Sequence, residues 1–129
     1  MIVLDASAAL DLLLNTQRAP RLSARVRDER IQVPHLIDIE IAHVLRKHAS
    51  TGAVPIAHAE IAMSSWLECD IDRHAHDFML PRIWQLRQRM TAYDAAYVAL
   101  AEAMALPLVT CDAKLARSHG HTADIQLIQ

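Results

Sequence analysis

Short apolar runs alternate with longer stretches of helical spacing along the chain. The runs Met1–Leu4 and Leu108–Thr110 are predicted to be buried strands, because a short apolar run bounded by polar residues is typical of a strand inside a parallel sheet. Weaker strand signals occupy Ile31–Val33, Ile125–Ile128 and the ambiguous stretch Cys69–His76. Seven other stretches have the apolar spacing or the start and stop residues of helices: Ala6–Leu14, Pro20–Arg30, Leu36–His48, Pro55–Leu67, Phe78–Met90, Thr91–Ala105 and Asp112 to about His119.

This alternation predicts an α/β chain, a three-layer α/β/α fold in which helices flank a mainly parallel central sheet. With 129 residues we expect a single domain over positions 1–129, with a core that needs no disulfide or metal for stability. Parallel sheets place their sites in the crevice beyond the carboxyl ends of the strands. Asp5 and Asp112 each follow a predicted buried strand. We therefore expect both aspartates at that edge of the sheet.

Four acidic residues are candidates for a site, although most of them also have a purely structural interpretation. Asp5 and Asp112 precede predicted helices and suit N-cap positions. Asp94 is the third residue after a helix-starting Thr91, a spacing that fits a capping box. Glu40 has no such role, because it lies at the edge of the apolar stripe of its helix rather than opposite that stripe.

A shared acidic pocket explains these four residues better than four independent helix caps. Asp94, like Glu40, shares its helix face with apolar residues. A carboxylate in such a position is costly unless it is paired or bound to a metal. Like charges that converge at one edge of a sheet repel, and a hard divalent cation with oxygen ligands relieves that repulsion.

The composition excludes several other classes of site. Hydrophobic residues make up 53% of the chain and charged residues 22%, which is typical of a folded globular protein. Two glycines, Gly52 and Gly120, are too few for the loops that bind dinucleotides or cradle nucleotide phosphates. The formal net charge is −2, from 13 basic and 15 acidic residues, so a strongly basic overall field is excluded.

The cysteines and the apolar start of the chain bear on its compartment. Cys69 and Cys111 form no CxxC pair and are expected to be reduced thiols of a cytoplasmic protein. The start MIVLDASAALDLLL lacks a basic leader and contains two aspartates. We therefore expect neither a signal peptide nor a membrane-spanning segment there.

Four motifs follow one another along the chain: Ile2-Val3-Leu4-Asp5-Ala6-Ser7; Pro34-His35-Leu36 leading to Glu40 and Val44-Leu45-Arg46; Thr91-Ala92-Tyr93-Asp94-Ala95; and Leu108-Val109-Thr110-Cys111-Asp112-Ala113-Lys114-Leu115. Their order and spacing resemble the PIN domain family, and within it the VapC toxins of bacterial and archaeal toxin–antitoxin modules. Each motif alone is weak, whereas the four together are specific and span the whole chain.

The resemblance implies a metal-dependent endoribonuclease that cleaves RNA phosphodiesters and inhibits translation and growth as the toxin of a type II toxin–antitoxin system. It implies Mg²⁺ or Mn²⁺ as cofactor, held by Asp5, Asp94 and Asp112. The catalytic quartet it implies is Asp5, Glu40, Asp94 and Asp112, with Ser7 and Thr110 as supporting hydroxyls. Its implied partners are a cognate VapB-type antitoxin, an RNA substrate and a second copy in a homodimer, with no membrane. Because the chain has only five aromatic residues, we expect it to recognise RNA mainly by its shape and backbone rather than by base stacking.

Two other functions are compatible with parts of the pattern. A housekeeping RNA-processing nuclease of the same family would carry the same acids. A phospho-accepting receiver domain would also be doubly wound with an acidic pocket, but it needs paired acids after the first strand and a lysine at a later strand end. Asp5 stands alone and Leu108–Asp112 contains no lysine, which disfavours the receiver.

The histidines are further candidates for metal binding, and the arginines are candidates for RNA binding. The pairs His74-Ala75-His76 and His119-Gly120-His121 have no cysteine nearby to complete a structural zinc set, so we expect exposed loop histidines. Arginines between positions 18 and 30, together with Arg87 and Arg89, are typical of solvated helix faces, and contact with RNA phosphates is the alternative.

Overall fold

The computed structural model describes residues 1–129 as five strands, seven α-helices and one turn of 3₁₀ helix at Asp77–Met79. The strands are β1 (Ile2–Leu4), β2 (Ile31–Pro34), β3 (Ile71–His74), β4 (Leu108–Thr110) and β5 (Ile125–Leu127). The helices are α1 (Ala6–Leu13), α2 (Ala19–Val26), α3 (Ile37–Thr51), α4 (Ile56–Glu68), α5 (Leu80–Gln85), α6 (Ala92–Met104) and α7 (Ala113–Ala116). All neighbouring strands pair in parallel, in the order β3-β2-β1-β4-β5. This sheet, flanked by helices, confirms the predicted α/β/α fold.

The core is built around β1, whose three residues are all buried. Helix α6 packs against β1 and β2 and buries seven consecutive residues, Ala95–Ala101. Four of those seven are alanines, and small side chains allow a helix to pack flat against a sheet without a void. None of the helices has both the length and the apolar composition needed to cross a membrane.

Two predicted helices end earlier than the sequence pattern indicated. Helix α2 ends at Val26 rather than Arg30, because β2 begins at Ile31 and the residues between must turn the chain into the sheet. Helix α7 ends at Ala116, well before His119. There the Ser118 hydroxyl donates to the backbone carbonyl of Leu115 at 2.6 Å and satisfies one of the last carbonyls of the helix.

The stretch Phe78–Met90, predicted as one helix, is divided into the 3₁₀ turn, α5 and a further turn. The amide of Leu86 donates to the carbonyls of Arg82 and Ile83, and Leu86 is buried, so α5 closes in a turn that fills the core. Of the ambiguous stretch Cys69–His76, only the middle four residues, Ile71–His74, form a strand, β3, which pairs with β2.

Helix α3 is longer than predicted and runs to Thr51 rather than His48. The hydroxyls of Ser50 and Thr51 each donate to the backbone carbonyl of Lys47 at 3.0 Å, which satisfies that acceptor in the last turn. Gly52 then ends the helix at φ 77°, a left-handed conformation that glycine adopts without strain.

Asp38 joins three elements on one side of the sheet. Its carboxylate accepts hydrogen bonds from the indole of Trp66 on α4 at 2.7 Å and from the guanidinium of Arg73 on β3 at 2.8 Å. Burial alone would raise the pKa of Asp38, but Arg73 and Trp66 outweigh it and hold that pKa below its ordinary value. The start of α3, which carries Glu40, is thereby fixed against β3 and α4.

Glu102 has the equivalent role for helix α6. It accepts two hydrogen bonds from Arg82 on α5, at 2.9 and 3.0 Å, and two from the amide and hydroxyl of Thr122. The Arg82 guanidinium is the main reason that the pKa of Glu102 falls from 4.5 to about 2, against a smaller opposing effect of burial. Helix α6 is thereby tied to α5 and to the loop that leads into β5.

We expect Glu102→Gln to destabilise the protein by about 1–2 kcal/mol at neutral pH, because Arg82 loses its ion pair and one of its two acceptor oxygens. The depressed pKa of Glu102 contributes stability above its unfolded value of 4.5, and that contribution is lost as the pH falls from 4.5 towards 2. Urea denaturation at pH 7 and at acidic pH measures both effects. Glu60→Gln, at an exposed position of α4, is the control. A wild-type stability advantage over Glu102→Gln that stayed constant down to acidic pH would contradict this role.

Candidate active site

The acidic residues proposed from the sequence lie at the carboxyl edge of the sheet, where the strand order reverses between β1 and β4. Asp5 directly follows β1, and Asp112 lies two residues after the end of β4. Glu40 and Asp94 lie in the first turns of α3 and α6. A crevice at such a reversal is where open α/β sheets hold their ligands.

The carboxylate of Asp5 is buried, with 5% of the residue exposed, and both of its oxygens accept hydrogen bonds. Its Oδ1 accepts hydrogen bonds from the Ser7 hydroxyl at 2.7 Å and the Ala8 amide at 3.0 Å, and its Oδ2 accepts one from the Thr110 hydroxyl at 2.5 Å. Burial raises the pKa of Asp5, the charge of Asp112 adds to the rise, and the three hydrogen bonds oppose it. Asp5 is thus the N-cap of α1 and also lies within the field of a second acid.

Ser7 and Thr110 connect Asp5 to the segment after β4 by hydrogen bonds. The Ser7 hydroxyl accepts a hydrogen bond from the Cys111 amide at 3.0 Å, and the Thr110 hydroxyl accepts one from the Asp112 amide at 2.9 Å. Both hydroxyls therefore donate to Asp5 and accept from the backbone that carries Asp112. The network fixes the orientation of the Asp5 carboxylate relative to Asp112.

Asp112 is the N-cap of α7, as its position before a predicted helix suggested. Its Oδ1 accepts hydrogen bonds from the amides of Lys114 at 2.9 Å and Leu115 at 3.4 Å. No protein group donates to Oδ2 of the same carboxylate. One oxygen of Asp112 thus completes a helix cap while the other is left for a ligand.

Asp94 forms only half of the predicted capping box. Its amide donates to the Thr91 hydroxyl at 3.2 Å, but the return bond from the Thr91 amide to the Asp94 carboxylate is absent. Burial raises the pKa of Asp94, and the charge of Asp112 raises it further, while Lys114 and the Thr91 hydroxyl act in the opposite direction. Thr91 is therefore the residue that caps α6, and the Asp94 carboxylate lies within the field of Asp112.

Glu40 is held by a tyrosine from the neighbouring helix. The Tyr97 hydroxyl donates to Glu40 Oε1 at 2.5 Å, across from α6 to α3. Burial raises the pKa of Glu40, as do the charges of Asp94 and Asp5, and the bond from Tyr97 partly offsets the rise. Burial and the nearby Glu40 in turn raise the pKa of Tyr97, so its hydroxyl stays protonated and remains a donor.

The four carboxylates form a closed set of electrostatic neighbours, which we call the acidic ring. Asp112 raises the pKa of both Asp5 and Asp94, and Glu40 is affected in the same way by Asp5 and Asp94. Each acid therefore has two like-charged neighbours, although each comes from a different part of the chain.

The chemistry of the acidic ring fits a hard divalent cation. No three His, Cys, Asp or Glu side chains of the protein are placed as a complete set of metal ligands. Mg²⁺ does not require one, because it keeps several water ligands and binds through one or two carboxylates. The donors are all oxygens, and three of the four carboxyl groups have pKa values raised in part by their acidic neighbours, a repulsion that a cation relieves.

Two residues near the acidic ring were not identified from the sequence. Tyr97 lies one helical turn after Asp94 on a buried face of the helix. A buried tyrosine hydroxyl needs a hydrogen-bond partner, and this requirement was the signal in the sequence that could have identified it. Lys114 lies beside Asp112 in sequence, but its effect on the pKa of Asp94 comes from the fold alone.

The expectation of exposed loop histidines is wrong for three of the four. His74 lies in β3 and hydrogen-bonds Gln32 at 2.7 Å. His76 accepts a hydrogen bond from the Leu36 amide at 2.9 Å. His121 is within 3.0 Å of the Ser118 hydroxyl, and only His119 is exposed in a loop.

Several of the arginines have partners within the protein. Arg18 pairs with Asp11 at 3.2 Å, Arg25 with Glu29 at 2.8 Å, and Arg30 with Asp72. Arg87 lies 4.7 Å above the ring of Trp84. These pairs favour the structural interpretation of these side chains.

Comparison with known proteins assigns the chain to a family. Residues 2–119 match the PIN domain family. The chain is 38% identical to ribonuclease VapC12 of Mycobacterium tuberculosis over 128 residues, covering 99% of both chains. It is 45% identical to ribonuclease VapC9 of the same organism over 115 residues, covering 89% of this chain and 88% of the relative.

Solved structures agree on the fold. PAE2754 from Pyrobaculum aerophilum is 26% identical and superposes with a TM-score of 0.68, covering 96% of this chain and 81% of its own. A chain of VapBC2 from Rickettsia felis, solved with a promoter DNA fragment, gives a TM-score of 0.70 over all of both chains at 12% identity, which bears on the fold alone. The matched family, the extent of these similarities and the ordered motifs around the acidic ring together show that the chain belongs to the PIN domain family and, within it, to the VapC ribonucleases.

Proposed function

We propose that this protein is a Mg²⁺- or Mn²⁺-dependent endoribonuclease and acts as the toxin of a type II toxin–antitoxin system. The observation that carries the proposal is the acidic ring, in which four elements bring carboxylates to the crevice at the reversal of strand order. Family membership supports RNA as the substrate, since the relatives are named ribonucleases.

Asp5, Asp94 and Asp112 would hold the cation, with Glu40 acting directly or through water. When bound, the cation supplies charge relief at the phosphoryl oxygens and a more acidic bound water as the attacking group. The side chains around the ring orient these carboxylates and favour their ionised form against the effect of burial: Ser7 and Thr110 by donating to Asp5, and Tyr97 by donating to Glu40.

The charge of Lys114 lowers the pKa of Asp94, against the larger opposing effects of burial and Asp112. It favours the ionised form of Asp94 while the pocket is free of metal. A lysine at this position can also attract the RNA backbone towards the ring, because exposed cations steer polyanions.

The partners follow from the relatives and from exposed apolar surface. Neighbouring solved structures include toxin–antitoxin complexes, which supports a VapB-type antitoxin as partner of this chain. Ile56, Ile61 and Leu67 of α4 are each at least 64% exposed. This exposed apolar surface is available to an amphipathic antitoxin segment or to a second copy in a homodimer.

We expect purified protein to cleave RNA internally when Mg²⁺ or Mn²⁺ is present and to lose that activity in excess chelator. Asp94→Asn should lower the rate at least about 100-fold, as is typical when one preorganised charge is removed from a transition state. The helix should remain intact, since Thr91 supplies its cap. Gel analysis of RNA fragments with mapped ends measures both effects.

Glu68→Gln is the matched control, because it removes one exposed carboxylate at the end of α4, outside the acidic ring. It should cleave at the wild-type rate. Undiminished cleavage in chelator, or by Asp94→Asn, would refute the proposed metal chemistry.

Repulsion within the acidic ring should destabilise the metal-free protein at neutral pH. A carboxyl with a raised pKa in the folded state costs no stability below its unfolded pKa, and its cost appears as the pH rises through the folded value. In chelator at neutral pH, Asp94→Asn should therefore melt about 2–4 °C above the wild type. The gap should shrink as the pH falls towards the ordinary aspartate pKa of 3.8.

Added Mg²⁺ should raise the melting temperature of the wild type more than that of Asp94→Asn, because only the native state binds the ion. Thermal melts of both proteins at two pH values, with and without Mg²⁺, measure this. If the acids were only helix caps, Asp94→Asn would be the less stable protein and both would respond equally to Mg²⁺.

Expression of the chain alone should arrest bacterial growth, because uncontrolled RNA cleavage stops translation. Asp5→Ala and Asp94→Asn should both relieve the arrest; the second variant keeps the hydrogen bonds of Asp5 that stabilise the fold. Growth curves with immunoblots for soluble protein provide the measurement. Normal growth at verified soluble expression of the wild type would favour the housekeeping RNA-processing nuclease.

A further inference from the structure

A cavity of about 730 Å³ opens beside the acidic ring, on the side of β2 and β3. It falls within the range of small-ligand pockets, about 300–1,000 Å³. It adjoins the ring at Glu40, which lines it, and Tyr93, which also lines it, directly precedes Asp94 in the sequence. The residues that line it are His35, Leu36, Ile39, Glu40, His43, His76 and Tyr93.

The walls of this cavity are apolar and aromatic rather than cationic. Ile39 is 74% exposed and Tyr93 is 64% exposed, although both are large hydrophobic side chains. Three histidine rings add flat surfaces with polar edges, and neither lysine nor arginine lines the cavity. Such a lining suits a flat, uncharged ring better than a free phosphate, for which it offers no lysine or arginine.

One part of the cavity is held rigidly. The Nε2 atom of His76 accepts the Leu36 amide at 2.9 Å, so the neutral ring carries its proton on Nδ1. The His35 ring lies edge-to-face against His76, with centroids 5.9 Å apart and an interplanar angle of 77°. The end of β2, the start of α3 and the loop after β3 are therefore fixed around the cavity before any ligand enters.

We propose that this cavity is a nucleobase subsite, which receives one base of a single-stranded RNA whose neighbouring phosphodiester lies at the acidic ring. This inference rests on the proposed ribonuclease function and specifies how that site selects its substrate. Tyr93 stacks on the base, Ile39 and Leu36 cover its apolar surface, and the histidine edges provide hydrogen-bonding groups for its polar rim. The chain has few aromatic residues, but recognition of one base needs only one stacking platform.

The continuity of the cavity with the acidic ring favours RNA over other occupants. A base is joined to its phosphate by a sugar, so a cavity for a base must open directly beside the carboxylates that act on the phosphate. This cavity does so through Glu40 and Tyr93. An antitoxin peptide in the same place is the competing occupant, and the experiment below distinguishes the two.

The test combines enzyme variants with RNA that lacks single bases. A short single-stranded RNA cleaved by the wild type is prepared in versions in which one nucleotide on either side of the cut is abasic. For the wild type, one abasic position should lower kcat/KM about 5- to 150-fold, the range expected for loss of one stacked base. Tyr93→Ala and His43→Ala should lower kcat/KM on intact RNA and be nearly insensitive to that abasic position.

Two further variants act as controls. Tyr93→Phe keeps the stacking ring and should retain most of the discrimination. Trp84→Ala removes an aromatic residue that is 68% exposed on α5, away from the cavity, and should behave as the wild type. If Tyr93→Ala and His43→Ala cleaved every RNA as the wild type does, no base would occupy the cavity, and a peptide would be the remaining occupant.

A second measurement separates failure of this inference from failure of the proposed function. NMR spectra of the histidine ring protons are recorded while nucleoside monophosphates of the four bases are added to metal-free protein. Shifts at His35, His43 and His76 that disappear in Tyr93→Ala support the subsite even if no RNA is cleaved. RNA cleavage without such shifts and without sensitivity to abasic positions overturns the subsite and leaves the ribonuclease proposal standing.

Discussion

The hydrogen bonding of Asp5 is the interaction on which the rest of the site depends. This buried carboxylate accepts bonds from Ser7, Ala8 and Thr110, and so joins the end of β1, the start of α1 and the end of β4 at one point. A buried charge is costly unless it is hydrogen-bonded. The fold meets that requirement with two hydroxyls and a helix N-terminus, whose donors favour the ionised form. The same hydroxyls bind the backbone of Cys111 and Asp112, so the second aspartate is positioned by the first.

The remaining acids are brought to the same crevice by packing at some distance from it. Asp38, bonded to Trp66 and Arg73, fixes the start of α3 and hence Glu40. The alanine-rich face of α6 packs against β1 and β2 and carries Asp94 and Tyr97 to the edge of the sheet. Like charges gathered in this way oppose folding, and a bound cation would reverse that effect. The mutual repulsion and the proposed metal binding thus have one physical origin.

The acidic ring and the cavity beside it have opposite chemistry. The ring is acidic and suits a cation and the phosphate that the cation attracts, whereas the cavity is lined mainly by apolar and aromatic groups and suits a base. Glu40 belongs to both, and Tyr97 holds it from the core. A nucleotide presents both chemistries at a fixed separation, so two adjoining sites of this kind can select it without an extended basic surface. The formal net charge of −2 is therefore compatible with RNA as substrate.

The sequence by itself determined the α/β class, the buried strands β1 and β4, and the positions of the four acids, because strand and helix periodicities and capping residues are local properties of the chain. The predicted ends of α2, α3 and α7 were wrong, because turns and side-chain hydrogen bonds such as that of Ser118 determine where these helices end. The sequence pattern also predicted one helix over Phe78–Met90, which the structure divides into shorter pieces. Only the tertiary structure decided that Tyr97 bonds Glu40, that Asp94 leaves its capping role to Thr91, and that His35, His43 and His76 share a cavity with Tyr93. These contacts join residues from different elements, and their geometry is fixed by packing around the sheet, which no local pattern of residues records.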